Sequence, residues 1–248
     1  MPALVESTPK AGHGTWIEIR LDRLRANLKT LKQHALPDSQ VMAVVKANAY
    51  GHGLLEIAKA LAGEAAYLGV SSAHEALQLK EHGVEIPVFL FGRLFGAEIP
   101  AVLTDGVTLS VSSLEEAREI SEVSQSLGRK TPVHIKVDTG MGRLGIPLGD
   151  APKKIEIMAA LPGILLDGIY THFPAAERSD GFMEQQLLDF LKLIEQLETR
   201  GIRFRLRHAA NSTAGLKIKN PWLNLIRPGL MLYGIYPDPS LEIGRAHV

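Results

Sequence analysis

Short apolar, β-branched runs alternate along this chain with longer stretches whose apolar positions recur every three or four residues. In LDRLRANLKTLKQHA (21–35), Leu21, Leu24, Leu28 and Leu31 fall on one helical face. QVMAVV (40–45) reads as a strand, LLEIAKALAGEA (54–65) as a helix and YLGVS (67–71) as a strand again. SAHEALQLKEHG (72–83) opens with a serine cap and Glu75 three residues on, a capping-box start, and closes at Gly83. PVFLFG, GVTLSV and VHIKVD are three further strands, with the helical SLEEAREISEVSQSLG before the last. The final third adds GILLDGIYTHF (163–173), the helix FMEQQLLDFLKLIEQLETRG (182–201), FRLRHAAN (204–211) and LNLIRPG (223–229).

Counted from residue 40, this gives eight strand candidates with intervening helices in about 200 residues. That rhythm predicts successive βα units and a parallel sheet. The expected fold is α/β, a (β/α)8 barrel, with a doubly wound open sheet as the alternative. No linker, low-complexity tract or internal repeat is visible. Residues 1–15 read as an N-terminal extension, 16–238 as the barrel, and 239–248 as a tail outside any periodic element.

Composition narrows the function classes. The 27 basic and 27 acidic residues balance and are scattered, which argues against a nucleic-acid partner. The absence of cysteine excludes disulfides, zinc ribbons and thiol nucleophiles. Histidine spacing supports no metal site. No apolar run approaches the ~20 residues that span a bilayer, and the N-terminal stretch lacks the regions of a secretory signal. The expectation is a cytoplasmic protein without a membrane partner.

In a barrel of this kind, chemistry collects where strands end and loops begin. The strand ends carry Lys46, Lys136, Arg143, His172, His208, Asn211, Ser212 and Arg227, a set suited to an anionic small molecule. Lys46 follows the apolar run 41–45, so its stem starts inside an apolar wall. Such a lysine either snorkels from the rim or serves as a desolvated amine able to condense with an aldehyde. GMGRLG (140–145) fits a dinucleotide fingerprint literally, but Pro147 and Gly149 interrupt the helix that should open there. Arg143 suits a bidentate carboxylate or phenolate contact better. Arg227 either pairs with a carboxylate or, with Gly229 and Ser212, frames a phosphate. His172 is compatible with a packed core histidine.

AVVKANAYGHG, VDTGMGRLG, THF, AANS and RPGLMLYG stand in the order and spacing of the bacterial alanine racemases, and the chain resembles that family from about Trp16 to Pro237. The resemblance implies pyridoxal 5'-phosphate as cofactor and interconversion of L- and D-alanine, the latter supplied for peptidoglycan. Lys46 would hold the cofactor as a Schiff base and act as one of two acid/base catalysts. Tyr50, Ser212 and the backbone of Gly229 and Leu230 would bind the phosphate, with Asn211 beside them. Arg227 would hydrogen-bond the pyridine nitrogen, with His172 behind it. Arg143 would contact the phenolate and the substrate carboxylate, fixed by a carbamylated Lys136. The family continues into a C-terminal β-domain that supplies a second base to the partner's site within a homodimer. WIEIR (16–20) would pair with strands of that domain. Against that pattern this sequence is expected to be an N-terminal barrel fragment with little or no activity alone. The alternatives are a stand-alone cofactor-carrying barrel and an amino-acid decarboxylase, the latter disfavoured because it calls for an acid where Arg227 stands.

Overall fold

The computed structural model describes residues 17–236. Its strands are β1 (Gln40–Val44), β2 (Tyr67–Val70), β3 (Val88–Leu90), β4 (Thr108–Val111), β5 (Thr131–Asp138), β6 (Ile146–Pro147), β7 (Ile164–Tyr170), β8 (Leu206–His208) and β9 (Leu225–Ile226). Eight of them lie side by side in the order β8-β7-β5-β4-β3-β2-β1-β9, and the short β6 branches from the end of β5. All of these pairings are parallel.

Two backbone hydrogen bonds join the first and last members of that order. Asn224 N–H donates to the Arg207 carbonyl (3.1 Å) and Arg227 N–H to that of Ala210 (3.0 Å). The Asn224 side chain stitches the same seam, accepting from Arg207 N–H at 2.9 Å and donating to the Arg205 carbonyl at 2.8 Å. The sheet therefore closes as an eight-stranded (β/α)8 barrel, and the open sheet is ruled out. All eight strands read from the sequence are present.

Strands buried on both faces are apolar throughout rather than alternating, and two cores result. The outer one lies between strands and helices and takes Leu24, Leu28 and Leu31 from the helix Leu21–His34, with Leu21 only partly covered. The inner one fills the barrel with Met42, Tyr67, Phe89, Tyr170, Leu206 and Leu225. The barrel is thus a packed core with chemistry only at its rim.

Three details differ from expectation. The helices Glu98–Thr104 and Ala151–Ala159 are not among those read from the sequence, and each carries a proline in its first turn, Pro100 and Pro152. In the first turn a proline costs no hydrogen bond and is tolerated. At Ser72 the hydroxyl caps Glu75 N–H, but the Glu75 carboxylate turns away from Ser72 to the N–H groups of Ser71 and Asn48. Residues 17–20 form no regular structure, and Ile17 is 82% exposed, unpaired among the described residues. The expected extension (1–15), Trp16 and the tail (239–248) lie outside the described residues. Among those described, no helix is long and apolar enough to cross a membrane.

Candidate active site

The carboxyl ends of the strands surround a cavity of about 470 Å3. Lys46, Tyr50, Lys136 and Arg143 line it, and so do His172, Asn211, Ser212, Arg227, Gly229 and Leu230. All ten site residues read from the sequence therefore converge on one concavity, although they span 185 positions of chain from Lys46 to Leu230. The wall carries four basic side chains, and Glu177 is its acidic one. Such a lining favours an anion.

Lys46 leaves the end of β1 at the start of an unusual turn. Ala47, Asn48, Ala49 and Tyr50 all have φ between 52° and 54°, a left-handed helical turn built without glycine until Gly51. Left-handed geometry costs roughly 1–2 kcal/mol per non-glycine residue, so something must hold it. Asn48 N–H donates to Glu75 Oε1 at 3.0 Å, and Asn48 Oδ1 accepts from Leu54 N–H at 2.8 Å. The turn puts Lys46 at one end and Tyr50 at the other, both facing the cavity. Burial, and then the Arg143 charge, hold the Lys46 amine below the ordinary lysine range, while Glu75 pulls the other way.

Arg227 enters from the opposite side of the seam and is 4% exposed. Its guanidinium donates to His208 Nδ1 (2.7 Å) and to the carbonyls of Thr171 (2.8 Å) and Ala209 (3.0 Å). It also lies 5.3 Å from the centre of the Tyr170 ring. Burial lowers its pKa to about 10, still far above neutrality. The donor fixes the imidazole behind it: His208 accepts at Nδ1, so its proton sits on Nε2, 2.8 Å from His134 Nδ1. His134 in turn presents Nε2 to Asp167 Oδ2 at 3.4 Å, off the line of a regular hydrogen bond. That last contact is electrostatic. Burial works to raise the Asp167 pKa, yet His134 and the Arg205 guanidinium hold the carboxyl below its usual range. Gly168 leaves the room for this arrangement, since a Cβ there would lie 2.6 Å from the His134 ring.

Ser212, Gly229 and Tyr50 make a small cradle. Ser212 Oγ accepts from Gly229 N–H (3.0 Å) and Met231 N–H (3.4 Å), leaving its own proton to donate outward. A Cβ at Gly229 would meet the Tyr50 hydroxyl at 2.6 Å. Asn211 caps the helix Ser212–Lys217 through Ala214 N–H, and its amide reaches the Phe173 carbonyl at 3.3 Å. Arg143 rides on the 140–145 loop, which is wrapped on Asp138: Oδ1 accepts from Gly140 and Met141 at 2.9 and 2.8 Å. No helix opens there, which removes the dinucleotide reading. Lys136, buried beside Arg143 and Arg227, has its pKa brought down to about 8 by burial first and those charges second. Burial and the Arg227 charge keep His172 neutral, with a pKa lowered to about 3.

A family model described as the N-terminal domain of alanine racemase matches residues 19–237. The chain belongs to the alanine racemase family. It is 39% identical over 233 residues to an alanine racemase of Desulforamulus reducens, covering 93% of this chain and 63% of that protein. With an alanine racemase of Methanococcus maripaludis the identity is 41% over 239 residues, covering 95% and 64%. The solved alanine racemase of Clostridium difficile 630 superimposes with a TM-score of 0.90 at 33% identity, over 96% of this chain and 63% of that one. The chain thus spans a little under two thirds of the alanine racemases it matches.

One expectation drawn from the alanine racemase resemblance changes. The group hydrogen-bonded behind Arg227 is His208, not His172. His172 lies instead on the cavity wall, where the Arg227 charge reaches it without a hydrogen bond between them among the described residues. Sequence reasoning missed His134, Asp167 and Glu75 as members of the site's support. His134 and His208 occupy strand positions that face the barrel interior, where an ionisable residue signals a buried network. Glu75 was read as a local helix cap.

Proposed function

We propose that these residues form the cofactor-binding barrel of a pyridoxal-phosphate-dependent alanine racemase. The observation that carries this reading is one cavity holding a partly desolvated amine at one end of its rim and a buried, permanently charged guanidinium at the other. The cofactor fits the residues present. The narrow cradle at Gly229, which a Cβ would fill, and the outward Ser212 hydroxyl suit a phosphate. Tyr50 and the backbone of Gly229 and Leu230 complete that subsite, with Asn211 positioning its helix. Bound there, pyridoxal phosphate supplies an aldehyde for an amine and a ring that spreads the charge left when Cα loses its proton.

The residues of the chain do the rest. Lys46, with its lowered pKa, anchors the cofactor and then carries a proton to or from one face of the substrate Cα. Arg227 would hold the ring nitrogen of a bound cofactor as a hydrogen-bond donor that keeps its own proton, because its pKa of about 10 stays above the working range. A ring left unprotonated in this way would be a moderate electron sink. Arg143 orients the substrate carboxylate and the phenolate, and Lys136 beside it is the candidate for carbamylation, its low pKa exposing a free amine near pH 8. His172 packs on the cavity wall as a neutral ring. Inversion at Cα needs a proton carrier on each face, and Lys46 serves one. By resemblance the other comes from the C-terminal domain of a homodimer partner, acting on alanine.

The test has two parts. Adding pyridoxal phosphate should give the visible band of a lysine adduct, trapped by borohydride on Lys46, and Lys46→Ala should abolish it. A band that survives Lys46→Ala overturns the assignment. D-alanine formation is then followed for the chain alone and with the C-terminal region of a relative added. Stimulation supports the shared two-base arrangement, and full turnover by the 248 residues alone would place both proton carriers within them.

A further inference from the structure

The heptapeptide pattern Val-Ser-Ser-x-x-Glu-Ala occurs twice, at 70–76 and at 111–117, after β2 and after β4. The two copies are locally alike. Each second serine caps its helix, Ser72 accepting from Glu75 N–H at 3.3 Å and Ser113 from Glu116 N–H at 3.2 Å. Each glutamate then accepts the N–H of the first serine, Ser71 at 2.9 Å and Ser112 at 2.7 Å. Both carboxylates are buried, so both carry a desolvation cost.

The copies differ in what lies beside them. Glu75 Oε2 also takes the Ser71 hydroxyl at 3.1 Å, and its other oxygen reaches out of the motif to Asn48 N–H at 3.0 Å. Asn48 is the second residue of the left-handed turn that begins after Lys46. Glu116 makes no such reach among the bonds described. The ionisation behaviour agrees with the geometry. Burial raises Glu116 above the usual carboxylate range, with Ser112 N–H offsetting only part. Burial works on Glu75 in the same direction, but the N–H groups of Ser71 and Asn48 hold it below that range as an anion.

We propose that Glu75 is a positioning residue for Lys46 and Tyr50: its carboxylate, gripping Asn48 N–H from the neighbouring strand end, holds the left-handed turn that sets both side chains into the cavity. The turn has no glycine of its own to relax into that geometry. Ala49 is buried in the core, but Ala47 and Asn48 are exposed, so packing fixes only the far half of the turn and its start is left to hydrogen bonds. Asn48 Oδ1 on Leu54 N–H ties the turn to the helix that follows, and the Glu75 carboxylate on Asn48 N–H is the charged clamp that ties it to the neighbouring strand end. Its charge also faces the Lys46 amine and opposes the effect of Arg143. The inference rests on the reading that Lys46 and Tyr50 hold the cofactor, but its test does not depend on that alone.

The experiment uses the whole chain and four variants, Glu75→Gln, Glu116→Gln, Ala47→Gly and the double Glu75→Gln/Ala47→Gly. Two quantities are measured: the dissociation constant for pyridoxal phosphate by absorbance, and the rate at which Lys46 is labelled by an amine reagent in the cofactor-free chain. Glu75→Gln should weaken cofactor binding at least about tenfold, the equivalent of 1.4 kcal/mol, and change the Lys46 labelling rate several-fold. Glu116→Gln should leave both within about twofold, since its carboxylate serves only its own helix. Ala47→Gly, which removes a Cβ from a left-handed position, should recover most of the binding lost in Glu75→Gln. Equal effects of the two glutamine variants, or no effect of either, overturn the proposal, as does failure of Ala47→Gly to rescue. Should Glu75→Gln not fold, Glu75→Asp, too short to span both N–H groups, takes its place with the same expected outcomes. If no cofactor adduct forms in the wild-type chain, the functional reading fails, and the labelling rates still decide the role of Glu75.

Discussion

The first and last strand ends of the barrel each deliver a cation to the same cavity, by opposite means. After β1, Lys46 stands half-buried on a left-handed turn, its pKa lowered by burial and Arg143 and partly restored by Glu75. After β9, Arg227 is buried, and its guanidinium is held by a histidine nitrogen and two carbonyls. One cation has its pKa drawn below the ordinary lysine range and sits on a turn kept from relaxing by a few bonds. The other stays charged and is fixed by neutral acceptors, with Asp167 two imidazoles away. The difference teaches that a single electrostatic environment can prepare two cations for different work. A reactive amine needs a pKa that can be moved. A fixed donor needs one that cannot, and guanidinium keeps its proton even when fully desolvated.

The comparison breaks most completely at Lys46. Lys46→Ala should remove the cofactor adduct altogether while changing unfolding free energy by no more than about 1 kcal/mol, because a half-buried stem contributes modest packing. Arg227→Leu should do the reverse in kind. The adduct still forms, but His208 and two carbonyls lose their donor, and denaturant unfolding should show a loss of about 3 kcal/mol after the relief of a buried charge is allowed for. Equal stability of the two variants would sink the distinction between a movable and a fixed cation.

Gly229→Ala tests the cradle between the two ends. A Cβ there would lie 2.6 Å from the Tyr50 hydroxyl, inside the space the cradle keeps open. Pyridoxal phosphate binding should weaken about tenfold, as 1.4 kcal/mol implies, and adding Tyr50→Phe, which removes the hydroxyl, should return part of it. The smallest effect is in acid. His172 has a folded pKa of about 3 against an ordinary 6.5, and burial lowers His134 and His208 as well. The unfolded chain therefore binds more protons between those values, so stability is present above about pH 6.5 and is lost as pH falls toward 3. Unfolding midpoints taken across that range should fall more steeply for the wild type than for His208→Gln.

Much of this was legible in the chain. Eight apolar runs with helical stretches between them became eight parallel strands, because a parallel strand buried on both faces leaves an unbroken apolar signature. Seven of the ten proposed site residues were readable because barrels collect polar groups at strand ends, Gly229 from its place in the turn after Arg227, and Tyr50 and Leu230 only through the family resemblance; all ten line one cavity. Glu75 was visible as a capping residue and His208 as a strand-end histidine, yet neither role could be assigned. Asn48 lies 27 positions before Glu75, and Arg227 lies 19 after His208. No local pattern encodes those meetings. The two Val-Ser-Ser-x-x-Glu-Ala motifs make the point sharply, since identical signatures acquire different partners.

The sequence by itself determined the strands, their burial on both faces, the serine cap at Ser72 and the types of chemistry offered at the rim. These follow from periodicity and from side-chain hydrogen bonds to nearby backbone, which act over a few residues. Only the tertiary structure decided which carboxylate braces the turn after Lys46, which imidazole stands behind Arg227, and which amines lose charge to burial. Those are properties of distance and dielectric, and both are set when closing the barrel brings remote strand ends within hydrogen-bond reach and shuts water out.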